Sequence, residues 1–486
     1  MTALVTLDEL RTVYYQQKNN FSLPISSEQE NIFTCTNITR CLPGKRISCQ
    51  GTWQGQTVFA KLFIAPKRAK THWQRELSGV ELLSNEKICT PELLYSGSTL
   101  NNKVYYIFFE FIDNSDPLQT IWDTSSAARQ NDLLHKLAGT IAEHHNKGVL
   151  QKDLHLNNFL LANQKIYTLD GSDITNFNKT DDNIACKNLA QLFAQFYPAH
   201  DMQISSALDT YSHYRQWNSK RLCLNKLLTE TRKQREKRKH DFIAKTQREC
   251  SLFCVNKTWS QLAIYARKYH SDELSQLIAT PDDLIDTGQI LKRGNSTTVS
   301  IVTTENKQWL VKRYNIKNWI HFLRRTLRCS KAFISWKNTN LLKFYGIPAP
   351  EPVAIIEKRF GPFRKTTYFI SEVILGENYW DYIHPSQLSD EENLLLAHSV
   401  CKLLRSLKPL MISHGDLKAT NIMIENNKAC LIDLDAMHQH SNHNSFQKAY
   451  TKDMKRFLKN WENEPENWSF FKEHCFNDDG ENIKLS

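Results

Sequence analysis

Residues 414–435 read HGDLKATNIMIENNKACLIDLD, which sets Asp416, then Asn421 five residues on and Asp433 seventeen residues on. Residues 152–170, KDLHLNNFLLANQKIYTLD, set Asp153, Asn158 and Asp170 at the same two spacings. Upstream of each group lies a run of β-branched and aromatic residues around a lysine, Lys61 in TVFAKLF and Lys312 in QWLVKRYN. Together these are the groups that phosphoryl transfer requires. The lysine neutralises nucleotide phosphates, the first Asp orients the attacking hydroxyl and accepts its proton, and the Asn and second Asp hold Mg²⁺ through hard oxygen ligands. Each element alone is common in a chain of this length. Four in one order, twice at matched spacing, argue against coincidence.

Such residues need elements to position them. Leu134, Leu137 and Ile141 recur at helical spacing before the first loop, and Leu396, Val400, Leu403 and Leu407 do so before the second. Ser389 with Glu392 three residues on is a capping box that starts the second helix. After each loop, two apolar runs flank polar turn residues, NFLL then IYTL and NIMI then CLID, which predicts a hairpin. Each acidic pair therefore straddles a hairpin.

At 486 residues the chain exceeds what one core supports, so two or three domains are expected. Its 62 Lys and Arg against 51 Asp and Glu give +11, which favours anionic partners without choosing among phosphates, nucleic acid and membrane surface. The basic run 231–250 reads as a solvated connecting helix or a docking face for anionic partners. Arg324, Arg325, Arg328 and Lys331 form a second basic cluster at helical spacing, either a solvated face or a grip for an anionic acceptor or membrane. The twelve cysteines include no C-x-x-C pair, and reduced thiols are expected. The N-terminal stretch lacks the apolar core of a secretory signal, and no run is long enough to span a bilayer.

HGDLKATNIMI with LIDLD, and VFAKLF with KDLHLNNFLL and YTLDG, resemble the protein-kinase-like superfamily, and more narrowly the bacterial lipopolysaccharide kinases of Kdo/WaaP or InaA type. LPGKRISCQGTWQGQTVFAKLF at 42–63, LVKRYN at 310–315 and SWKNTNLLKFYGIPAPEP at 335–352 agree, so the resemblance covers all but the basic stretch between the copies. It implies an α+β fold of two tandem bilobal protein-kinase-like domains, at 1–225 and 276–486, joined by a basic helical linker at 226–275. It implies ATP and Mg²⁺ as cofactors and phosphate transfer to a sugar hydroxyl of the lipopolysaccharide core or another anionic glycan. The lack of a spanning run, with the basic stretches at 231–240 and 321–333, predicts a cytoplasmic protein peripheral on the anionic inner membrane.

Carried across residue by residue, the resemblance makes Asp153 and Asp416 the catalytic aspartates. Lys61 and Lys312 become the phosphate-contacting lysines, Asn158, Asp170, Asn421 and Asp433 the metal ligands, with Asp435 as runner-up to Asp433. His155 and Lys418 would steady the transferred group. Glu76, counted back from the ICTP turn, would pair with Lys61, and the same count gives Ser335 in the second copy. The first copy has QKD where the second has HGD, so Gln151 and Lys152 replace a His and a Gly. GTWQG at 51–55 and RGNSTT at 293–298 are the expected phosphate-covering loops. On this reading the first copy, with the fuller charged set, is the competent one. A tandem pseudokinase or regulatory scaffold that binds nucleotide without turnover is the alternative. The absence of an A-P-E element after Asp170 or Asp433 disfavours a protein kinase, and no aromatic platform around the basic stretch supports nucleic-acid binding.

Overall fold

The computed structural model describes residues 4–12, 20–25, 31–179, 181–217, 223–315, 329–361, 363–384 and 388–476. The basic cluster at Arg324, Arg325 and Arg328 lies outside them. The fold is mixed α+β, in two compact units, Met1–Lys237 and Arg238–Ser486.

In the first unit, α1 (Leu7–Thr12) precedes the strands β1 (Phe21–Pro24), β2 (Ile32–Leu42), β3 (Arg46–Trp53), β4 (Gln56–Phe63), β5 (Leu93–Thr99) and β6 (Val104–Glu110). They form an antiparallel sheet in the order β1-β2-β3-β4-β6-β5. The helix α2 (Ala69–Asn85) lies between β4 and β5 in sequence. In β4 the side-chain period of two sends Val58, Ala60 and Leu62 into one apolar cluster with Phe33 and Phe108. Phe63, from the alternate set that includes Lys61, packs instead with Val80 of α2, Ile107 and Phe109. The lysine run is thus buried on both faces.

A second part of this unit contains α3 (Leu118–Thr124), α4 (Ala127–Asn146), α5 (Asp182–Phe193) and α6 (Ile204–Tyr214). Their core is separate and includes Leu134, Leu137 and Ile141, as the helical spacing requires. Short strands β7 (Asp116–Pro117), β8 (Val149–Gln151), β9 (Phe159–Ala162), β10 (Lys165–Thr168) and β11 (Ile174–Asn176) carry the loop residues, with β9 and β10 forming the expected hairpin.

The second unit likewise holds a large sheet and a helical part. After α7 (Leu224–Lys245), strands β12 (Phe253–Lys257), β13 (Gln261–Ala266), β14 (Gln289–Arg293), β15 (Thr297–Thr303), β16 (Gln308–Tyr314), β17 (Pro352–Phe360) and β18 (Phe363–Glu372) form a sheet in the order β12-β13-β17-β18-β16-β15-β14. Helices α8 (Asp272–Ala279) and α9 (Pro281–Thr287) precede β14, and α10 (Lys331–Tyr345) precedes β17. The helical part holds α11 (Tyr379–Ile383), α12 (Asp390–Leu407), α13 (His443–Lys459) and α14 (Pro465–Phe476). Its small strands are β19 (Glu377–Asn378), β20 (Ile412–Ser413), β21 (Ile422–Glu425), β22 (Lys428–Leu431) and β23 (His438–Gln439), with β21 and β22 as the hairpin. Leu396, Val400, Leu403 and Leu407 line the helical core, and Ser389 and Glu392 close the capping box.

Two expectations are corrected. The stretch 226–275 is not a single linker: α7 ends at Lys245, and β12 and β13 join the second sheet through β17. Apolar alternation in FCVNK and QLAIYA outweighs the basic composition around it. Within α7, Arg235 is buried against both carboxylate oxygens of Asp201 at 3.0 and 2.6 Å, and Lys239 is buried with its ammonium 3.1 Å from Gln439, so this basic run is not wholly a solvated face. The cysteines are not all reduced. Cys401 of α12 and Cys475 of α14 form a buried disulfide, because helix packing brings residues 74 apart to a Cα separation of 5.1 Å.

The seating of α2 positions the first site. A Cβ on Gly79 would lie 1.8 Å from the carbonyl oxygen of Gly171, so helix and loop meet backbone to backbone. Helix propensity alone would make Gly79→Ala stabilising by about 1 kcal/mol. Overpacking at this contact reverses the sign, and the variant is expected to lose about 1–3 kcal/mol. Urea unfolding monitored on the first unit's transition distinguishes the two, since a raised midpoint would rule out the close contact.

Candidate active site

In the first unit, β4 delivers Lys61 and α2 delivers Glu76. The Lys61 ammonium bonds the Glu76 carboxylate, which is fully buried, and lies 3.7 Å from Asp170. The same Glu76 oxygen accepts the backbone N–H of Gly171 at 3.0 Å. One carboxylate therefore ties strand, helix and loop together. Burial pushes the Glu76 carboxyl up, against the pull of Lys61. Burial also acts upward on Asp170, but Lys61, a hydrogen bond with Glu76 and Arg46 outweigh it and hold Asp170 well below the usual carboxylate range.

Arg46 was not singled out from the sequence. Its guanidinium lies 3.7 Å from Asp170 and 3.8 Å from Glu76. It opens β3, just after the turn in which Gly44 takes φ +63°. This corrects the expected phosphate-covering loop of the first copy. Lys61 sits near the end of β4, opposite Ser48 near the start of β3, so the neighbouring turn is the one before β3 at 43–45. The turn at 54–55, within the expected 51–55 loop, is at the far end of that hairpin. In the second unit Lys312 lies opposite Val299, and the connection at 294–296 is at the lysine's end, within the expected 293–298.

The loop asparagines have one arrangement in both units. Asn158 Nδ2 donates to the Asp153 carbonyl at 3.0 Å, and Asn421 Nδ2 donates to the Asp416 carbonyl at 2.8 Å. Committing each amide nitrogen leaves each Oδ1 as the acceptor. The Asn158 carbonyl accepts the N–H of Leu169, and the Asn421 carbonyl that of Ile432, the residues before Asp170 and Asp433. Both aspartates then adopt left-handed backbone, φ +63° and +58°. Asparagine, hairpin and second aspartate are thus locked together, which explains the shared spacing of seventeen.

The units differ at the lysine. Lys312 bonds Asp433 directly at 2.5 Å. At the helix position predicted to lack a carboxylate, buried Ser335 instead pairs its hydroxyl with Tyr314 at 2.9 Å. Three residues on, Asn338 donates to the carbonyl of Leu434 at 2.8 Å, just as Gly79, three after Glu76, abuts the carbonyl of Gly171. The two helices therefore correspond in register, and Ser335 stands where Glu76 does. Asp435 pairs with Lys331 at 3.0 Å rather than with Lys312.

They differ again at the first aspartate. Asp453 of α13, buried, accepts the N–H groups of His414 and Gly415 at 2.6 and 3.0 Å on one oxygen. Gly415 has φ +80°, and a Cβ there would lie 2.4 Å from the Ala436 carbonyl. In the first unit Asn188 of α5 instead donates to the Gln151 carbonyl at 2.8 Å. Gln151 reproduces one role of His414: its amide reaches the Leu169 carbonyl at 3.4 Å, where His414 Nε2 meets that of Ile432 at 2.9 Å. Arg456 of α13 binds Asp416, and Lys418 lies 3.5 Å from the same carboxylate. Asp153 is exposed, and its carboxylate has no bond to another side chain among the described residues. His155 accepts the N–H of Asn157 at 3.3 Å and caps the turn that carries Asn158. Sequence spacing held no signal for Asp453, Arg456 or Asn188.

Residues 275–474 match the family model described as the lipopolysaccharide kinase (Kdo/WaaP) family. No curated protein matches the chain.

Behind the first loop, His145 bonds Tyr211 at 2.7 Å and Asn188 at 3.0 Å, and His144 bonds Thr168 at 3.0 Å. Burial lowers His145 to about 4 and His144 to about 3. Because the unfolded chain binds these protons first, their effect on stability is absent above the unfolded value of about 6.5 and grows as pH falls below it. Each histidine is expected to cost about 2–3 kcal/mol by about pH 4.5. Urea midpoints measured across that window should fall less steeply for His145→Gln than for the wild type. Equal slopes would mean that His145 is protonated in the fold.

Proposed function

We propose that both units are kinase-like domains and that the protein is an ATP-dependent phosphotransferase acting on a sugar hydroxyl of the lipopolysaccharide core. The observation that carries this reading is the repeated lock of asparagine amide, hairpin and left-handed aspartate beside a strand lysine. The family match at 275–474 supports the substrate class. Asn158 and Asn421 would each present Oδ1, and Asp170 and Asp433 a carboxylate, a hard oxygen set that suits Mg²⁺. No cluster of three or more acidic, His or Cys side chains suited to a metal occurs among the described residues. None is required, since Mg²⁺ in such sites takes one or two protein ligands alongside substrate phosphates. When bound, the ion neutralises charge on the phosphates.

In the first unit Lys61, held by Glu76, and Arg46 would face the phosphates. Asp153 would orient the acceptor hydroxyl and take its proton as the oxygen–phosphorus bond forms, and the bond to the departing ADP oxygen breaks. His155 fixes the loop turn that supports Asn158, and Lys418 would steady a transferred phosphoryl group only if turnover took place in the second unit. Asp153 is exposed without a cationic partner among the described residues, whereas Arg456 and Lys418 occupy Asp416. This favours the first unit as the site of turnover and the second as nucleotide- or acceptor-binding support. Among the described residues no helix is long and apolar enough to cross a membrane. A cytoplasmic protein, peripheral on the inner membrane, is consistent with that reading.

Titration calorimetry should detect Mg²⁺-dependent ATP binding; its absence from the full chain would sink the proposal. With labelled ATP and purified core, Asp153→Asn should lose about 10²–10⁴-fold in turnover while Asp416→Asn stays within a few-fold. The reverse pattern moves turnover to the second unit. Nucleotide binding with no transfer to whole lipopolysaccharide or truncated cores would leave a scaffold.

A further inference from the structure

Two hairpins of the second sheet end side by side in exposed aromatic residues. β13 pairs with β17 through Gln261 opposite Lys358, and two further bonds run past the strand ends, Arg359 N–H to the Ser260 carbonyl at 2.7 Å and Gly361 N–H to the Trp259 carbonyl at 3.1 Å. The turn between β12 and β13 and the turn between β17 and β18 therefore share one end of the sheet. Trp259 is 72% exposed, Phe360 62% and Phe363 40%. The Trp259 ring lies over Gly361, where a Cβ would come within 2.9 Å of it, so the glycine permits both the positive φ of +58° and the docking of the two tips.

Flanking these rings in sequence are Lys257, Lys358, Arg359, Arg364 and Lys365, of which Lys358 bonds Gln261 at 2.8 Å and the Ala279 carbonyl at 3.1 Å. Across 255–261 and 357–365 the single carboxylate is Glu357, which is buried and paired with Arg359 at 2.5 Å and Arg364 at 3.4 Å. Lys365 lies 5.7 Å from the Phe360 ring centre. Nothing in the apolar cores requires three large rings at a solvent-facing turn. Tryptophan and phenylalanine framed by lysine and arginine suit the boundary between headgroups and acyl chains of a bilayer that contains anionic lipid.

We propose that these paired tips are an interfacial anchor that inserts Trp259, Phe360 and Phe363 into an anionic membrane surface. The inference deepens the peripheral location proposed above, and its test is separate from phosphotransfer, because binding is measured without nucleotide and does not involve the residues assigned to transfer. The full chain should float with vesicles of phosphatidylcholine and phosphatidylglycerol and bind weakly to phosphatidylcholine alone. The triple variant Trp259→Ser, Phe360→Ser, Phe363→Ser should lose about tenfold or more in affinity for the mixed vesicles. Lys257→Gln and Lys365→Gln should each lose about fivefold and flatten the salt dependence. Trp259→Phe keeps an apolar ring, so it should retain binding yet lose the blue shift of tryptophan fluorescence that vesicles induce in the wild type. Undiminished binding by a triple variant with unchanged circular dichroism overturns the proposal. So does an unchanged blue shift in Trp259→Phe, or failure of the wild type to bind mixed vesicles, which would leave the patch to a protein partner.

Discussion

A fully buried carboxylate must be answered by charge or by hydrogen bonds, and in the first unit Glu76 is answered by both. Its bonds to Lys61 and to the Gly171 N–H fix three elements that are far apart in sequence. Removing one partner of such a pair leaves a desolvated charge, which typically costs about 3–5 kcal/mol. The second unit avoids that cost by changing several residues together. Ser335 replaces the carboxylate and satisfies its own hydroxyl on Tyr314. By strand register Thr297, opposite Tyr314, occupies the position of Arg46, opposite Phe63. One anion and one cation are thus absent together. Lys61 and Arg46 face Glu76 and Asp170 in one cluster, and Lys312 faces Asp433 in the other. Both arrangements balance their charge, although only one retains the helix as a participant.

The parts legible in the sequence were those whose geometry is local. The five- and seventeen-residue spacings translate into an amide bonded back to its loop and a hairpin of fixed length, so a short window contains them. The helices before each loop were legible because Leu134, Leu137 and Ile141, and their counterparts from Leu396 to Leu407, report one buried face. Glu76 was reached by counting from a turn, which succeeds when the helix has no insertion. The missing carboxylate at Ser335 was found in the same way.

What escaped depends on chain segments meeting in space. Asp453 and Arg456 approach the loop from a helix about 40 residues downstream, and nothing in their own neighbourhood marks them. Cys401 and Cys475 carry no spacing signal because their pairing follows from helix packing. The loop expected to cover phosphates in the first unit was sought at the end of the hairpin remote from Lys61. Glycines drew attention to 51–55, whereas strand direction puts the turn before β3 beside Lys61. Composition likewise misread α7 and the strands after it, since a count of cations does not reveal that Arg235 and Lys239 are buried with partners.

The two loops are held by opposite hydrogen-bond polarity. Asp453 receives backbone N–H groups, whereas Asn188 gives its N–H to a backbone carbonyl. Gly415 belongs to the first solution, with a backbone conformation unsuited to a side chain, and Lys152 to the second. Neither residue can be exchanged between copies alone. An aspartate at 188 would direct negative charge at the Gln151 oxygen, and a lysine at 415 would be driven into the Ala436 carbonyl. Each of these single exchanges would lose a hydrogen bond or force a clash, so either loop accepts the other's residues only when their partners change with them. The two loops can thus differ in composition while a residue moved singly from one to the other finds no matching partner.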